Sequence, residues 1–337
     1  MTIIYAILMF CILIFIHELG HFAAAKACGV KVNEFALGMG PTIVSKQKGE
    51  TKYSLRAIPI GGFCAMEGED EESNDDRAFN NKKAWQKTII VIAGSFMNVL
   101  LALILITIVV YNMGFPSTTI ANVQKDSPAY HAGIQVGDKI TSVNGTKINE
   151  WQELSVLIKK DADQKTVNLG INRDGKNLVI NSELKKAQDG RMVMGVLADR
   201  EKNIGKSIIN GPKATLAMTK DMYGVLKKLV TGEVSTKELS GPVGIVYMVD
   251  KSAEQGFITV LYFMALISLN LGIVNMLPLP ALDGGRLVFI IIRKITGQAI
   301  TDEMEGRVHI AGMVLLLTLM LYVTWNDIFR FIVPVFK

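Results

Sequence analysis

Cysteine is scarce in this 337-residue chain: three residues, at 11, 28 and 64, with no CxxC spacing. Histidine is nearly as rare, with four copies. Basic residues are missing from the start, since no Lys or Arg precedes Lys26 and residues 3–16 carry no charge at all. A cleaved secretory signal needs a basic leading segment, so the first apolar run is a poor match for one, although Ala23–Ala25 imitates a cleavage site. Charged residues make up only 20% of the chain against 50% hydrophobic, with a mean hydropathy of +0.32. That balance excludes an ordinary soluble enzyme and also a chain lying wholly in membrane.

Apolar runs long enough to span a bilayer occur at about 3–25, 88–111, 257–277 and 308–333. The segment between the first two carries Lys26, Lys31, Lys46, Lys48, Lys52, Arg56, Arg77, Lys82, Lys83 and Lys87, and the one between the last two carries Arg286, Arg293, Lys294 and Arg307. The positive-inside tendency puts both in the cytoplasm. The amino terminus, the long middle segment and the carboxy terminus then lie outside. The formal charge of +5 accordingly reads as topology and attraction to the membrane surface, not nucleic-acid binding. Cys11 falls in a span and Cys28 and Cys64 in a cytoplasmic loop, so no disulfide framework is expected.

Within the first run stands His17-Glu18-Leu19-Gly20-His21. Ionisable residues in hydrocarbon are costly and by default mark function. One helical turn apart, His17 and His21 share a face and suit two imidazole ligands to one Zn²⁺. Glu18 can serve as a base toward water at such a metal without being a ligand. HExxH alone is a weak pattern, and a structural pair of buried histidines competes with it. Its position in a span favours the reading of a metallopeptidase site inside the membrane.

Residues 29–63 alternate short β-like stretches, VNEFAL, TIVSKQ and TKYSLRAIPI, with Gly-rich turns, which predicts a small hairpin sheet beside the first helix. Its edge suits strand addition by an extended peptide, and a plain packing element fits the sequence equally. The acidic stretch 67–76 reads as a solvated loop, with Glu67 or Glu69 as a minor alternative for metal binding. In the middle segment, residues 118–124 read as a strand, and SPAYHAG (127–133) as a short helix with Ser127 as N-cap. Strand 137–145 ends in Asn144-Gly145, residues 151–160 form a helix, and 166–184 a hairpin turning at Asp174-Gly175. This order resembles a bacterial PDZ domain, a module that binds peptides along a sheet edge. His131 reads as a surface or packing residue. Residues 204–256 are helix-like, and Gly241-Pro242-Val243-Gly244 leads into a helix expected at the membrane surface, with a positioning role.

A catalytic zinc site needs a third protein ligand. His131 belongs to the outer segment, and His309 opens the fourth span without a companion motif. Asp283, in NMLPLPALDGGR (275–286), is the better candidate, because prolines break the helix there and paired glycines permit close backbone approach. Standing alone, an aspartate in such a turn would read as a surface residue.

Together, HELGH, the PDZ-like insert and NMLPLPALDGG resemble the site-2 protease family, in its bacterial branch with a single PDZ unit, in family order from residue 17 to 286. The resemblance implies a polytopic α-helical membrane protein of about four transmembrane helices, with a membrane-associated β-hairpin region and an inserted extracytoplasmic α+β PDZ-like domain. The domains would be 1–112 (first two helices, HExxH and hairpin), 113–200 (PDZ-like), 201–256 (linker and amphipathic helices) and 257–337 (last two helices and LDGG). It implies a zinc metalloendopeptidase of the bacterial plasma membrane, with its site near the cytoplasmic face. His17, His21 and Asp283 would ligate Zn²⁺, Glu18 would be the catalytic acid/base, and Asn275 would hold the substrate backbone or the oxyanion. Asn98 would be auxiliary, in Gly94-Ser95-Phe96-Met97-Asn98, where the family has proline at the position of Ser95. Substrates would be single-span membrane proteins such as anti-sigma factors, or signal-peptide remnants. A peptide ligand at the PDZ-like domain and the lipid bilayer complete the expected partners. A PDZ-bearing scaffold without enzymatic activity and a zinc transporter are the alternatives.

Overall fold

Apolar length decides four of the helices. In the computed structural model, which describes residues 2–69, 73–160, 165–186, 192–233, 240–296 and 301–332, α1 (Thr2–Ala27), α2 (Ala84–Met113), α7 (Phe257–Asn275) and α9 (Asp302–Asp327) are long and apolar enough to cross a membrane. A π-helical turn, Ile328–Ile332, continues α9. Part of the expected acidic loop (70–72) and the end of the expected fourth span (333) lie outside the described residues.

The chain divides into two compact units, 1–109 with 210–337, and 110–209. In the first unit, β1 (Val32–Lys48) and β2 (Thr51–Met66) pair over much of their length. The separate short strands expected between 32 and 60 are fused into these two. Gly38 and Gly40, at φ 87° and 81°, kink an extended chain instead of ending it, as glycine does inside strands. The bend lets Phe35 pair with both Cys64 and Tyr53, so one segment of β1 has neighbours on either side. An aromatic cluster fastens this sheet to α1: Phe22 lies 5.2 Å from Phe35 and Phe15 lies 5.8 Å from it, both edge-on. The three cysteines are free thiols.

Helix α5 (Ile204–Val230) packs Met218, Met222 and Leu226 against buried Ala102, Leu269 and Ile273 of α2 and α7. Helix α6 (Pro242–Glu254) begins at the Gly-Pro-Val-Gly turn and packs against α1, α7 and α9. Buried Asp327 of α9 accepts from the N–H groups of Gly241 and Gly244 at 2.9 and 2.8 Å, which supplies the anion that a helix N-terminus favours. Helix α8 (Asp283–Thr296) starts at the predicted aspartate.

In the second unit, β3 (Phe115–Val123), α3 (Pro128–His131), β4 (Lys139–Val143), β5 (Thr146–Lys147), α4 (Trp151–Lys160), β6 (Thr166–Arg173) and β7 (Lys176–Glu183) follow in order. The short β8 (Lys185–Lys186), β9 (Met192–Val193) and β10 (Val196–Glu201) close the unit. The main sheet runs β10-β3-β4-β6-β7, with β5 against β4, over a core that includes Ile120, Ile140, Val143, Leu169 and Ile171. Ser127 caps α3 by accepting from Tyr130 N. At both Asn144-Gly145 and Asp174-Gly175 the two turn residues have positive φ, the conformation that gives a two-residue hairpin its twist. His131 is exposed.

Candidate metal centre

One face of α1 carries His17 and His21, and α8 brings Asp283 to meet them. The Nε2 atoms of the two histidines are 3.2 Å apart, and Asp283 Oδ2 lies 3.3 Å from the first and 3.5 Å from the second. These are the edges of a nearly regular triangle. A tetrahedral Zn²⁺ bound at 2.0–2.1 Å requires donor separations of about 3.3 Å. Among the described residues these three form the sole cluster of its kind, and Asp283 Oδ2 is buried with no hydrogen-bond partner. An orphaned carboxylate oxygen facing two imidazole nitrogens is a donor set that fits the metal.

The sequence builds this convergence with small residues. A Cβ at Gly94 would strike the His21 ring, with His17 Cε1 next to it, so α2 must present bare backbone there. In α8, a Cβ at Gly284 would run into the carbonyls of Met276 and Leu277, and one at Gly285 into that of Leu279. The paired glycines thus let the first turn of α8 press against the loop before it, which carries Asp283 inward. Ala281, two residues ahead of it, has φ 70°, a left-handed conformation that costs a residue with a side chain about 1–2 kcal/mol.

Each ring is also held from behind. His21 Nδ1 lies 2.8 Å from the Ile90 carbonyl, which can only accept, so Nδ1 carries the proton and Nε2 keeps its lone pair for the cluster. His17 Nδ1 is 3.3 Å from the side-chain amide of Asn98, itself fully buried. Asn275, the last residue of α7, places its amide nitrogen 3.4 Å from His17 Nε2. Glu18 joins Ile14, His17, Asn98, Leu271, Asn275 and the Gly61-Gly62 stretch of β2 around a cavity of about 230 Å³.

All six residues expected at the site therefore meet here. Glu67 and Glu69 do not. Glu67 is bound to Asn33, Ser73 and Lys31 at 2.9, 2.7 and 3.1 Å, and these three contacts, in that order of weight, hold its carboxyl well below the usual range. Glu69 forms an ion pair with Arg286 of α8. Two participants were missed by sequence reasoning. Ile90 acts through its backbone and leaves no signal in the sequence. His309 lies outside the cluster but bonds to the loop that leads to Asp283, and its one readable signal was its rarity as one of four histidines.

Two imidazoles and a glutamate on a helix fit to cross a bilayer, with the Asp283 carboxylate brought beside them by α8, define a membrane-embedded metallopeptidase. Residues 5–319 match the model of peptidase family M50. A chain of Clostridium acetobutylicum, provisionally named a zinc metalloprotease, is 40% identical over 334 residues, covering 97% of each chain. The regulator of sigma-W protease RasP of Bacillus subtilis and the zinc metalloprotease RasP of Geobacillus kaustophilus are each 32% identical, with 98% of both chains covered. Among solved structures, the PDZ domain of the SdrC-like protein of Listeria innocua is 22% identical, spans 26% of this chain and 99% of its own, and has a TM-score of 0.22. The chain belongs to peptidase family M50, the site-2 proteases, and is an intramembrane zinc metalloprotease.

Proposed function

We propose that this protease cleaves single-span membrane substrates, anti-sigma factors or signal-peptide remnants, within or at the edge of their transmembrane helices, as a step of regulated intramembrane proteolysis. His17, His21 and Asp283 would hold the zinc. The observation that carries this assignment is the triangle of donor atoms 3.2–3.5 Å on a side, beside a cavity that also admits Glu18.

When bound, Zn²⁺ polarises a carbonyl and makes water a stronger acid. Glu18 then takes a proton from the attacking water and delivers it to the leaving amine nitrogen as the C–N bond breaks. Asn275 donates its amide N–H to the developing oxyanion. Asn98 orients His17. With its Nε2 committed to the cluster, His17 must donate from Nδ1, and Asn98 Oδ1 is buried without a hydrogen-bond partner. Amide oxygen and nitrogen are interchangeable by a half-turn, so turning the Asn98 amide lets its oxygen accept the His17 Nδ1–H.

A substrate helix hides its carbonyls in i→i−4 bonds and must unwind before attack. The Gly61-Gly62 stretch borders the cavity, and among the described residues no strand but β1 pairs with β2. That edge is placed to take the unwound segment as an added strand. The positive-inside distribution of Lys and Arg supports a site near the cytoplasmic face, with residues 113–200 outside as a PDZ-like domain that screens substrates.

Reconstitution of the purified protein with a single-span peptide tests the proposal. Fragments should form, and a zinc chelator should stop them. Peptide binding without fragments would favour a scaffold, and zinc flux across the vesicle without fragments a transporter.

A further inference from the structure

Asp283 reaches the cluster only if the loop before it, residues 276–282, holds its shape, and much of that shape is enforced from α9. The backbone N–H of Ala281 donates to His309 Nδ1 at 2.8 Å. One turn along α9, a Cβ at Gly312 would overlap Pro280, so the helix lies directly against the loop at both points. His309 is in turn oriented by its neighbours. Its Nε2 is 3.7 Å from Glu305 Oε1, and Glu305 Oε2 is 2.7 Å from Arg293 Nη2 of α8. Because the Ala281 N–H donates to Nδ1, that nitrogen is the acceptor and the ring proton sits on Nε2, on the side of the Glu305 carboxylate. The ring also lies against Phe289 of α8, with centroids 5.6 Å apart.

We infer that His309 is a positioning residue for the metal site: by accepting the Ala281 N–H it fixes the left-handed turn that aims Asp283 at the two histidines. Ala281 sits at φ 70°, where a residue with a Cβ does not rest without cause. Without the acceptor, that turn relaxes toward ordinary backbone, and Asp283, two residues on, swings off the triangle. His309 touches neither substrate nor the reacting atoms. It sets the geometry of a ligand from outside, as groups behind metal ligands commonly do. The inference rests on Asp283 being the third ligand.

The test compares full-length protein carrying His309→Leu or His309→Asn. Asn Oδ1 stands where Nδ1 stood, and Leu has the same shape without an acceptor. Zinc content and the rate of zinc loss to a chelator are measured beside kcat and KM on a single-span peptide. His309→Leu should lose zinc about 10-fold faster, at the lower end of the effect of such supporting groups, with kcat reduced and KM unchanged. His309→Asn should stay close to the unsubstituted protein in both readouts. Unchanged zinc loss and kcat in His309→Leu, or an equal defect in His309→Asn, would overturn the inference. Should His309→Leu fail to accumulate folded, His309→Gln replaces it, since its acceptor lies one bond too far; zinc loss equal to that of His309→Asn would again overturn it. Asp283→Ala is the control for the underlying reading. If it keeps zinc, the ligand assignment fails; if it loses zinc while His309→Leu does not, only the role of His309 fails.

Discussion

The Nδ1–H of His21 on α1 donates to the carbonyl of Ile90 on α2 at 2.8 Å, and four residues further along α2 stands Gly94. A single turn of α2 thus provides both the acceptor that fixes the ring and the missing side chain that makes room for it. Two helices distant in sequence are locked at the distance the site requires.

Gly94→Ala tests this relationship. The added methyl would collide with the His21 ring beside His17, while alanine favours the helix itself. The protein should remain folded with unchanged helical content by circular dichroism. Zinc affinity should fall about 10- to 100-fold, read by competition with a chelator.

Glu69 and Arg286 tie the turn that follows β2 to the first turn of α8, three residues after Asp283. Glu69 is largely buried, and its Oε2 also accepts from Met66 N at 3.3 Å. Either Glu69→Arg or Arg286→Glu alone should lower proteolytic kcat about 10-fold by freeing α8. The cost of a partly exposed pair is modest, about 1–2 kcal/mol. The doubly exchanged protein should recover most of that loss, and peptide cleavage by all three measures it.

In the second unit, Asp138 is buried beneath Arg173, which donates to both carboxylate oxygens at 2.7 Å, while Gln135 N donates at 2.8 Å. Burial pushes the carboxyl up, but the Arg173 bonds and then the Gln135 N–H outweigh it and hold it below its ordinary value. A depressed carboxyl stabilises the fold fully above the unfolded value of about 4 and loses that contribution as pH falls through the folded one. Protection of the β4 and β6 amides against hydrogen exchange in the intact chain, corrected for the slower intrinsic exchange in acid, should therefore fall below about pH 4. Asp138→Asn should remove that acid-dependent part, and Arg173→Ala should cost about 3 kcal/mol of local stability at neutral pH.

Much of this was legible in the sequence because it depends on local chemistry. HELGH puts two imidazoles on one helical face, uncharged runs set the spans, and Asn-Gly and Asp-Gly set the hairpins. Asp283 was legible because prolines and paired glycines break a helix visibly. The fusing of 32–48 into one strand was not, since Gly38 and Gly40 read equally as turn or kink until a partner strand is present. Backbone carbonyls such as that of Ile90 have no sequence signature. His309 looked idle because its partner is an N–H 28 residues away, and only the packing of α9 on the loop brings the two together.

The central claim is that Glu18 moves the proton while His17, His21 and Asp283 hold the metal. The most direct measurement pairs zinc stoichiometry with peptide cleavage in the Glu18→Gln protein. The metal should remain at the level of the unsubstituted protein, and cleavage of a single-span peptide should fall by at least about 100-fold, the scale of a lost general base. Turnover that survives the substitution with zinc still bound would contradict the account.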